Sequence, residues 1–381
     1  MQDYFPLKLA LGDQFCNRAK ERELLKHNIL KARHSVLVSP RRYGKSSLVH
    51  KVAKEIKKPF VTIDLFLAHD DKAVTKRILT GIANVVSQII PAREKFLDFI
   101  QGIFRNFKVT LAAKHFSIET SYTAGMFDPV DQIYTALCGL AKLSKEKQKK
   151  VIFFIDEFQD IANAQNSKAI QGAIRHVAQE TSDVVFIFSG SNRHLLLELF
   201  DDKSMPLYML CEKIQLERMS SNDYWQYLQD AAKSKWNKQL PKTVFNRIIN
   251  YTELHPFYVN LLCDRVWRNK TLPNVDIVTN AWLECYEIEE RRLIAELEKL
   301  TNNQQIVLKA LAINPITEIT GQRFLHLVPI AYSSVRQSVR SLYEKDMLYI
   351  VKKQDEAIPS LKLNQYRVLD PLLAFALRRY A

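Results

Sequence analysis

Long apolar runs are missing from this chain. Apolar runs such as Val151 to Ile155 and Val184 to Phe188 are far too short to span a bilayer, so no membrane-spanning segment is expected. No Cys-x-x-Cys spacing occurs, and the five cysteines (Cys16, Cys138, Cys211, Cys263, Cys285) are scattered and odd in number. A disulfide framework or a zinc site is therefore not expected, and a reducing cytosol fits. The N-terminus, Met1-Gln2-Asp3-Tyr4-Phe5, lacks a basic region followed by an apolar core. No secretory signal is read there, and the cytoplasm is the expected location. Repeats, low-complexity segments and Gly/Ser linkers are absent as well. What remains is an ordinary globular composition, 47% apolar and 25% charged, over 381 residues. That length suits two or three domains. Charge is unbalanced at +14, which favours a polyanionic partner such as nucleic acid or a membrane surface.

The most informative stretch is Ser39-Pro40-Arg41-Arg42-Tyr43-Gly44-Lys45-Ser46-Ser47. It lies between a short apolar run, Val36-Leu37-Val38, and a helical pattern from Leu48 to Ile56. Strand, loop and helix in that order make a phosphate-binding loop. Its backbone N–H groups and the positive end of the following helix cradle a nucleotide's phosphates. Lys45 reaches the β- and γ-phosphates, and the Ser46 hydroxyl ligates Mg²⁺. Ser39 stands where the G-x-x-x-x-G-K-S/T pattern has its first glycine. Arg41, Arg42 and Tyr43 either stabilise phosphate charge or form a solvated basic loop.

Around this loop the first two-thirds of the chain alternates strand-like and helical patterns, which predicts a parallel sheet. Strands are expected at 35–38, 60–65, 151–155, 184–188 and, at an edge, 213–216. All but the last are continuous apolar runs, as in strands buried on both faces. A long insertion at about 69–147 contains predicted helices at 75–90 and 93–104. A hairpin is predicted at 108–112 and 116–122, then a helix from Asp128-Pro129 to Leu143. After Leu216 an all-helical block follows, with a Ser221-Asn222-Asp223 cap and amphipathic segments at about 241–250, 256–269, 275–286 and 287–299.

Val151 to Ile155 ends in Asp156-Glu157. A buried strand delivers its terminal carboxylate to the edge of the sheet where α/β proteins bind ligands. Asp156 is placed to hold Mg²⁺ through water. Glu157 is placed to polarise the water that attacks the γ-phosphate. The strand at 184–188 leads into Ser189-Gly190-Ser191-Asn192-Arg193 and belongs between those carrying Lys45 and Asp156. Ser191 or Asn192 is positioned to sense the γ-phosphate or orient water. Arg193 either contacts that phosphate or a neighbouring subunit, or simply opens the next helix.

Together these residues resemble the archaeal-ATPase family of prokaryotic P-loop ATPases, in the AAA+/STAND group, over nearly the whole chain. Phe15-Cys16-Asn17-Arg18-Ala19-Lys20-Glu21 is similar to that family's N-terminal box, F-x-x-R-x-x-E. The resemblance implies that this box, with Arg18, lies against the adenine. Ile155-Asp156-Glu157-Phe158-Gln159 is similar to the Walker B motif, and Ser189-Gly190-Ser191 to the sensor strand. Thr252-Glu253-Leu254-His255-Pro256-Phe257-Tyr258 resembles the lid motif, which implies that His255 and Pro256 pack near the adenine. Ser204 to Tyr208 resembles S-P-L-Y-G-R, but Met209 and Leu210 stand in place of its Gly-Arg. Leu254 replaces a glycine of the lid motif.

From Thr301 the order is helix (304–312), helix (321–327), helix (333–345) and strands at 347–351 and 361–368. That order reads as a winged helix, and the resemblance implies the same. Its third helix presents Ser334, Arg336, Gln337 and Arg340 to a DNA groove, with Lys352 and Lys353 at the wing for phosphates. Residues 300–381 carry 11 basic and 6 acidic side chains.

The expected fold is α/β: a P-loop NTPase parallel sheet (AAA+/STAND-like) at 1–218, an all-helical lid at 219–299 and a winged-helix domain at 300–381. The expected function is an ATPase switch using ATP/ADP and Mg²⁺, acting on double-stranded DNA or a protein partner. Two alternatives stand beside it: a nucleotide-regulated DNA-binding protein with slow or no hydrolysis, and a non-catalytic scaffold that holds ADP.

Overall fold

Continuous apolar strands can be stable only inside a sheet covered on both faces, and the chain builds such a sheet. The computed structural model describes residues 4–10, 12–91, 99, 107–112, 115–120 and 128–379, the segments 107–112 and 115–120 for their backbone. The chain divides into two compact units. One comprises Met1–Asn17, Arg42–Gly44 and Glu217–Ala381; the other comprises Arg18–Arg41 and Lys45–Leu216. We call them the helical unit and the sheet unit.

In the sheet unit, β1 (Ser35–Val38), β2 (Phe60–Asp64), β5 (Val151–Asp156), β6 (Val184–Gly190) and β7 (Glu212–Gln215) form a parallel sheet in the order β2-β5-β6-β1-β7. β6 therefore separates β1 from β5, and β7 is an edge, as the sequence predicts. Val151, Phe153 and Ile155 share one core with the helices Asp71–Ile89, Pro129–Glu146 and Ser167–Glu180. Ile152 and Phe154 alternate to the opposite face and are equally buried. The outer edge of β2 is blunted: the Gln88 side-chain amide accepts from Phe60 N at 3.0 Å and donates to Phe60 O at 2.8 Å, and Arg77 donates to Asp64 O. Side chains thus satisfy edge groups that invite pairing with another strand.

The expected hairpin is present as an antiparallel pair, β3 (Phe107–Ala112) and β4 (His115–Thr120). The helix expected at 93–104 lies, apart from Phe99, outside the described residues. The helix after it begins where read, with the Asp128 carboxylate accepting from Val130 N and Asp131 N and Pro129 in the first turn.

In the helical unit, Ser220 rather than Ser221 caps the helix Ser221–Trp236, through a capping box with Asp223. The two segments expected at 275–286 and 287–299 are one helix, Val275–Glu298, because no proline or glycine interrupts it. Its buried Val278, Trp282, Cys285 and Leu293 keep helical spacing throughout. One apolar core gathers residues from Phe5, Tyr43 and Tyr224 through to Leu377. The C-terminal strands are shorter than expected: β8 (Leu348–Ile350) pairs antiparallel with β9 (Tyr366–Val368). Asn364, at φ 61°, breaks the extended run, and Asp355 instead ties the intervening loop to Ser221 N at 2.8 Å.

A charged cluster is buried in this unit. Glu253, 3% exposed, accepts from Arg367 Nη2 at 2.9 Å and from Arg218 Nη1 at 3.2 Å. Arg218 also donates to Leu369 O at 2.7 Å and lies 3.9 Å from the Tyr349 ring centroid. Burial pushes the Glu253 carboxyl up, but Arg367 and Arg218 outweigh it and hold the group below its ordinary 4.5. Burial holds His255 well below its ordinary 6.5, and the Arg218 and Arg42 charges add to that. An unfolded chain, with ordinary values, takes up the His255 proton first, so stability falls as pH drops below 6.5. The Glu253 contribution is whole above 4.5 and is lost as pH falls through the depressed folded value. We predict a thermal midpoint that declines from pH 7 to 5 and again below 4.5, with the first decline shallower in His255→Leu; a midpoint flat across both ranges would contradict this reading.

Candidate functional site

The end of β5 carries two adjacent carboxylates that cannot be left bare. Asp156 Oδ2 accepts from Ser46 Oγ at 2.6 Å. Its Oδ1 accepts from Glu157 N at 3.0 Å and from the Ser189 hydroxyl. Ser189 is fully buried on β6, where it pairs in register with Leu37 of the strand that feeds the phosphate-binding loop. Glu157 has left-handed backbone angles, φ 50° and ψ 40°. Its Oε2 accepts from Ser191 Oγ at 2.7 Å, Ser191 N at 3.0 Å and Gln159 Nε2 at 2.8 Å. Burial pushes this carboxyl up, yet those hydrogen bonds and the Lys45 charge outweigh burial and hold it below its ordinary value. Glu157 is therefore an anion in the fold, suited to orienting and polarising a donor.

Lys45 opens the 12-residue helix Lys45–Ile56, three residues before the expected start. Its ammonium, on a residue 7% exposed, donates to Ser39 O at 3.2 Å, Pro40 O at 3.1 Å and Ser39 Oγ at 3.5 Å. The loop shows why serine can stand where glycine is usual. Ser39 is absent from the positive-φ positions, so no left-handed conformation is required there, and its hydroxyl donates to Pro40 O at 3.1 Å. Gly44, by contrast, has φ 85° and needs glycine for that reason alone, since a Cβ there meets nothing within 4 Å. Ser47 is buried behind the loop and Arg41 is exposed.

A helix N-terminus with a buried ammonium beside it suits a phosphate anion. Ser46 Oγ and the Asp156 carboxylate offer adjacent hard oxygens, which suits Mg²⁺ with most of its shell from water and phosphate. Among the described residues no cluster of three or more His, Cys, Asp or Glu could form a metal cage of its own.

Other expected site residues fall elsewhere. Asn192 caps the helix Arg193–Asp201 by accepting from Leu195 N at 3.2 Å, so its side chain is used as a helix cap and Arg193 is the first helical residue. Arg18 is buried at 4% exposure, in left-handed geometry, and pairs with Glu21 at 3.4 Å. Arg42 and Tyr43 group with the helical unit. The Arg42 guanidinium lies 4.0 Å from the Phe257 ring centroid. Tyr43, 2% exposed, packs edge-on against His255 at 4.9 Å, and its hydroxyl accepts from Arg218 Nε at 3.3 Å. His255 is the residue before the helix Pro256–Val266, and Pro256 is its first residue. In the C-terminal part, the helix Tyr332–Glu344 exposes Arg336, Gln337 and Arg340 but half-buries Ser334. Arg340 pairs with Glu344 at 2.8 Å. Lys352 and Lys353 are exposed just beyond β8.

Residues that the sequence reading passed over complete the picture. Ser189 and Gln159 sit inside quoted motifs but had no role there; a polar side chain inside a buried run was the available signal. Arg218 and Glu253 carry no local signal, because their pairing spans 35 residues of sequence.

Residues 35–205 match the family described as ATPase family associated with various cellular activities (AAA). The Walker-type ATPase PABY2304 of Pyrococcus abyssi superposes with a TM-score of 0.68 at 16% identity, over 98% of this chain and 99% of that one. The ORC2 protein of Aeropyrum pernix, in ADPNP-ADP complexes, gives 0.57 at 14% identity over 96% and 93% of the two chains. Its ADP form gives 0.51 at 12% over 99% and 96%. At such identities the likeness is one of fold, the P-loop NTPase fold that the sheet order defines. No curated protein matches the chain. Among the described residues, no helix is long and apolar enough to cross a membrane.

Proposed function

We propose that this protein is a Mg²⁺-dependent ATP-binding and ATP-hydrolysing switch of the cytoplasm. Its nucleotide state passes through a helical lid, 219–299, to a winged-helix module, 300–381. The observation that carries the reading is the division of labour at the end of β5. Asp156 faces the Ser46 hydroxyl, while Glu157 is turned away to the Ser191 end of β6. Two neighbouring carboxylates with different partners suit two roles: Asp156 and Ser46 hold the metal, and Glu157 orients the attacking water. Lys45 neutralises the β/γ-phosphates. Mg²⁺, when bound, spreads the charge that develops on the γ-phosphoryl oxygens. The fold's occurrence in a Walker-type ATPase, and in a protein that binds ADPNP and ADP, supports a nucleotide as ligand.

Transmission has a physical candidate within the helical unit. Tyr43, two residues before Lys45, is hydrogen-bonded by Arg218, which in turn touches Glu253, Tyr349 and Leu369. A displacement of the loop tip therefore bears on β8 and the segment after β9. We expect Mg²⁺-dependent phosphate release that falls at least about 100-fold in Lys45→Ala and Glu157→Gln, with nucleotide affinity kept in Glu157→Gln. Wild-type turnover in both variants would sink the reading.

A second reading, nucleotide-regulated binding of double-stranded DNA with slow or no hydrolysis, is favoured by one feature. Arg336 and Gln337 lie exposed on one helix, and Lys352 and Lys353 follow the next strand, in a region with a basic excess. Duplex affinity by fluorescence anisotropy should fall with rising salt and weaken further in Arg336→Ala/Lys352→Ala/Lys353→Ala. No duplex binding at low salt removes this reading and leaves a protein partner for the module.

A further inference from the structure

The turn after β5 contains a buried amide that none of the roles above uses. Gln159 is 6% exposed. Its Nε2 donates to Glu157 Oε2 at 2.8 Å and to Asp160 Oδ1 at 3.2 Å, while its Oε1 is buried without a hydrogen-bond partner. An orphaned buried acceptor destabilises a fold, so a side chain chosen for packing alone would be apolar here. A buried amide with one satisfied end points to a task for that end.

Gly190, the last residue of β6, supports this from the other side. It has no left-handed φ, so its backbone does not call for glycine. A Cβ at this position would nevertheless fall 2.0 Å from Gln159 Oε1 and 3.2 Å from its Cδ. The missing side chain is the room the amide occupies. Glu157 is the common target. All three donors, from Ser191 and Gln159, converge on one oxygen of a residue whose backbone is already left-handed. Ser191 fixes that oxygen from β6, and Gln159 fixes it from the turn, so the carboxylate cannot rotate. Its other oxygen, Oε1, is then held in one direction. Pre-orientation of this kind is what a group that positions water requires.

We propose that Gln159 is a positioning residue that clamps Glu157 for catalysis, and that Gly190 exists to seat it. The proposal rests on the ATPase reading above and assigns no contact between Gln159 and the reacting atoms. It separates the two ends of the site: the clamp acts on turnover, and nucleotide binding is left to Lys45, Ser46 and the loop.

The test uses the full chain and measures two quantities: kcat from Mg²⁺-ATP phosphate release, and Kd for a fluorescent ATP analogue. Gln159→Met keeps the length, removes the donor and also removes the orphaned acceptor, so folding is preserved; thermal denaturation checks this. We expect kcat to fall about tenfold with Kd unchanged to within about twofold, a split that a merely structural defect does not produce. Gly190→Ala should lower kcat similarly, because Gln159 is displaced. In a Gln159→Ala background, where the amide is gone, Gly190→Ala should add no further loss. Wild-type kcat in Gln159→Met overturns the clamp, and so does a full additive loss in Gln159→Ala/Gly190→Ala. Glu157→Gln run beside them separates the two levels. If it is inactive while Gln159→Met is fully active, the clamp alone fails. If it retains wild-type turnover, the catalytic reading fails and takes the clamp with it.

Discussion

Two neighbouring carboxylates at the end of a strand buried on both faces are the constraint on which this site depends. A charged group leaves water only if other groups replace the lost hydrogen bonds. At Asp156 and Glu157 the replacements come from three places: the start of the loop helix (Ser46), the end of β6 (Ser189 and Ser191) and the turn itself (Gln159). The strand order makes this possible. β6 lies between β5 and β1, so its polar end faces both the carboxylates and the strand that delivers Lys45. The hydrogen bonds that satisfy the acids thus also hold the start of the loop helix and the end of β6 at the same end of the sheet.

The helical unit repeats the same physics around a different carboxylate. Glu253 is buried and acceptable there only because Arg218 and Arg367 reach it. Breaking such a pair is strongly destabilising, since it leaves an unmatched charge in the interior. Arg218 reaches the Tyr43 hydroxyl as well, so the tip of the phosphate-binding loop is bonded into the network that braces β8 and β9.

Much of this was legible in the residues, and what was not has physical reasons. The strands around Val36, Phe153 and Phe186 were readable because burial on both faces demands unbroken apolar runs. The places of the loop and of Asp156-Glu157 in the fold were legible because Gly-Lys-Ser between a strand and a helix, and a carboxylate pair ending an apolar run, are distinctive patterns. Asn192 was read as a candidate sensor, yet a residue at a strand-to-helix junction also suits a cap, and capping is what its side chain does. The amphipathic pattern at 275–299 divides into two segments, yet no breaker interrupts it and the helix is continuous. The strand expected at 361–368 is only Tyr366–Val368, because Asn364 takes a left-handed turn that periodicity does not reveal. Gln159, Gly190, Arg218 and Glu253 escaped for one shared reason. Each is defined by a partner distant in sequence or by a space that only the folded backbone creates.

The central claim is that Lys45, Ser46, Asp156 and Glu157 form one ATP- and Mg²⁺-dependent hydrolytic centre. A crystal structure of Glu157→Gln grown with Mg²⁺ and ATP tests it most directly. The account predicts intact ATP in the loop, with its β/γ-phosphates on Lys45 and the metal on Ser46 and, through water, Asp156. A loop without nucleotide at saturating ATP, or phosphates bound away from Lys45, would contradict it.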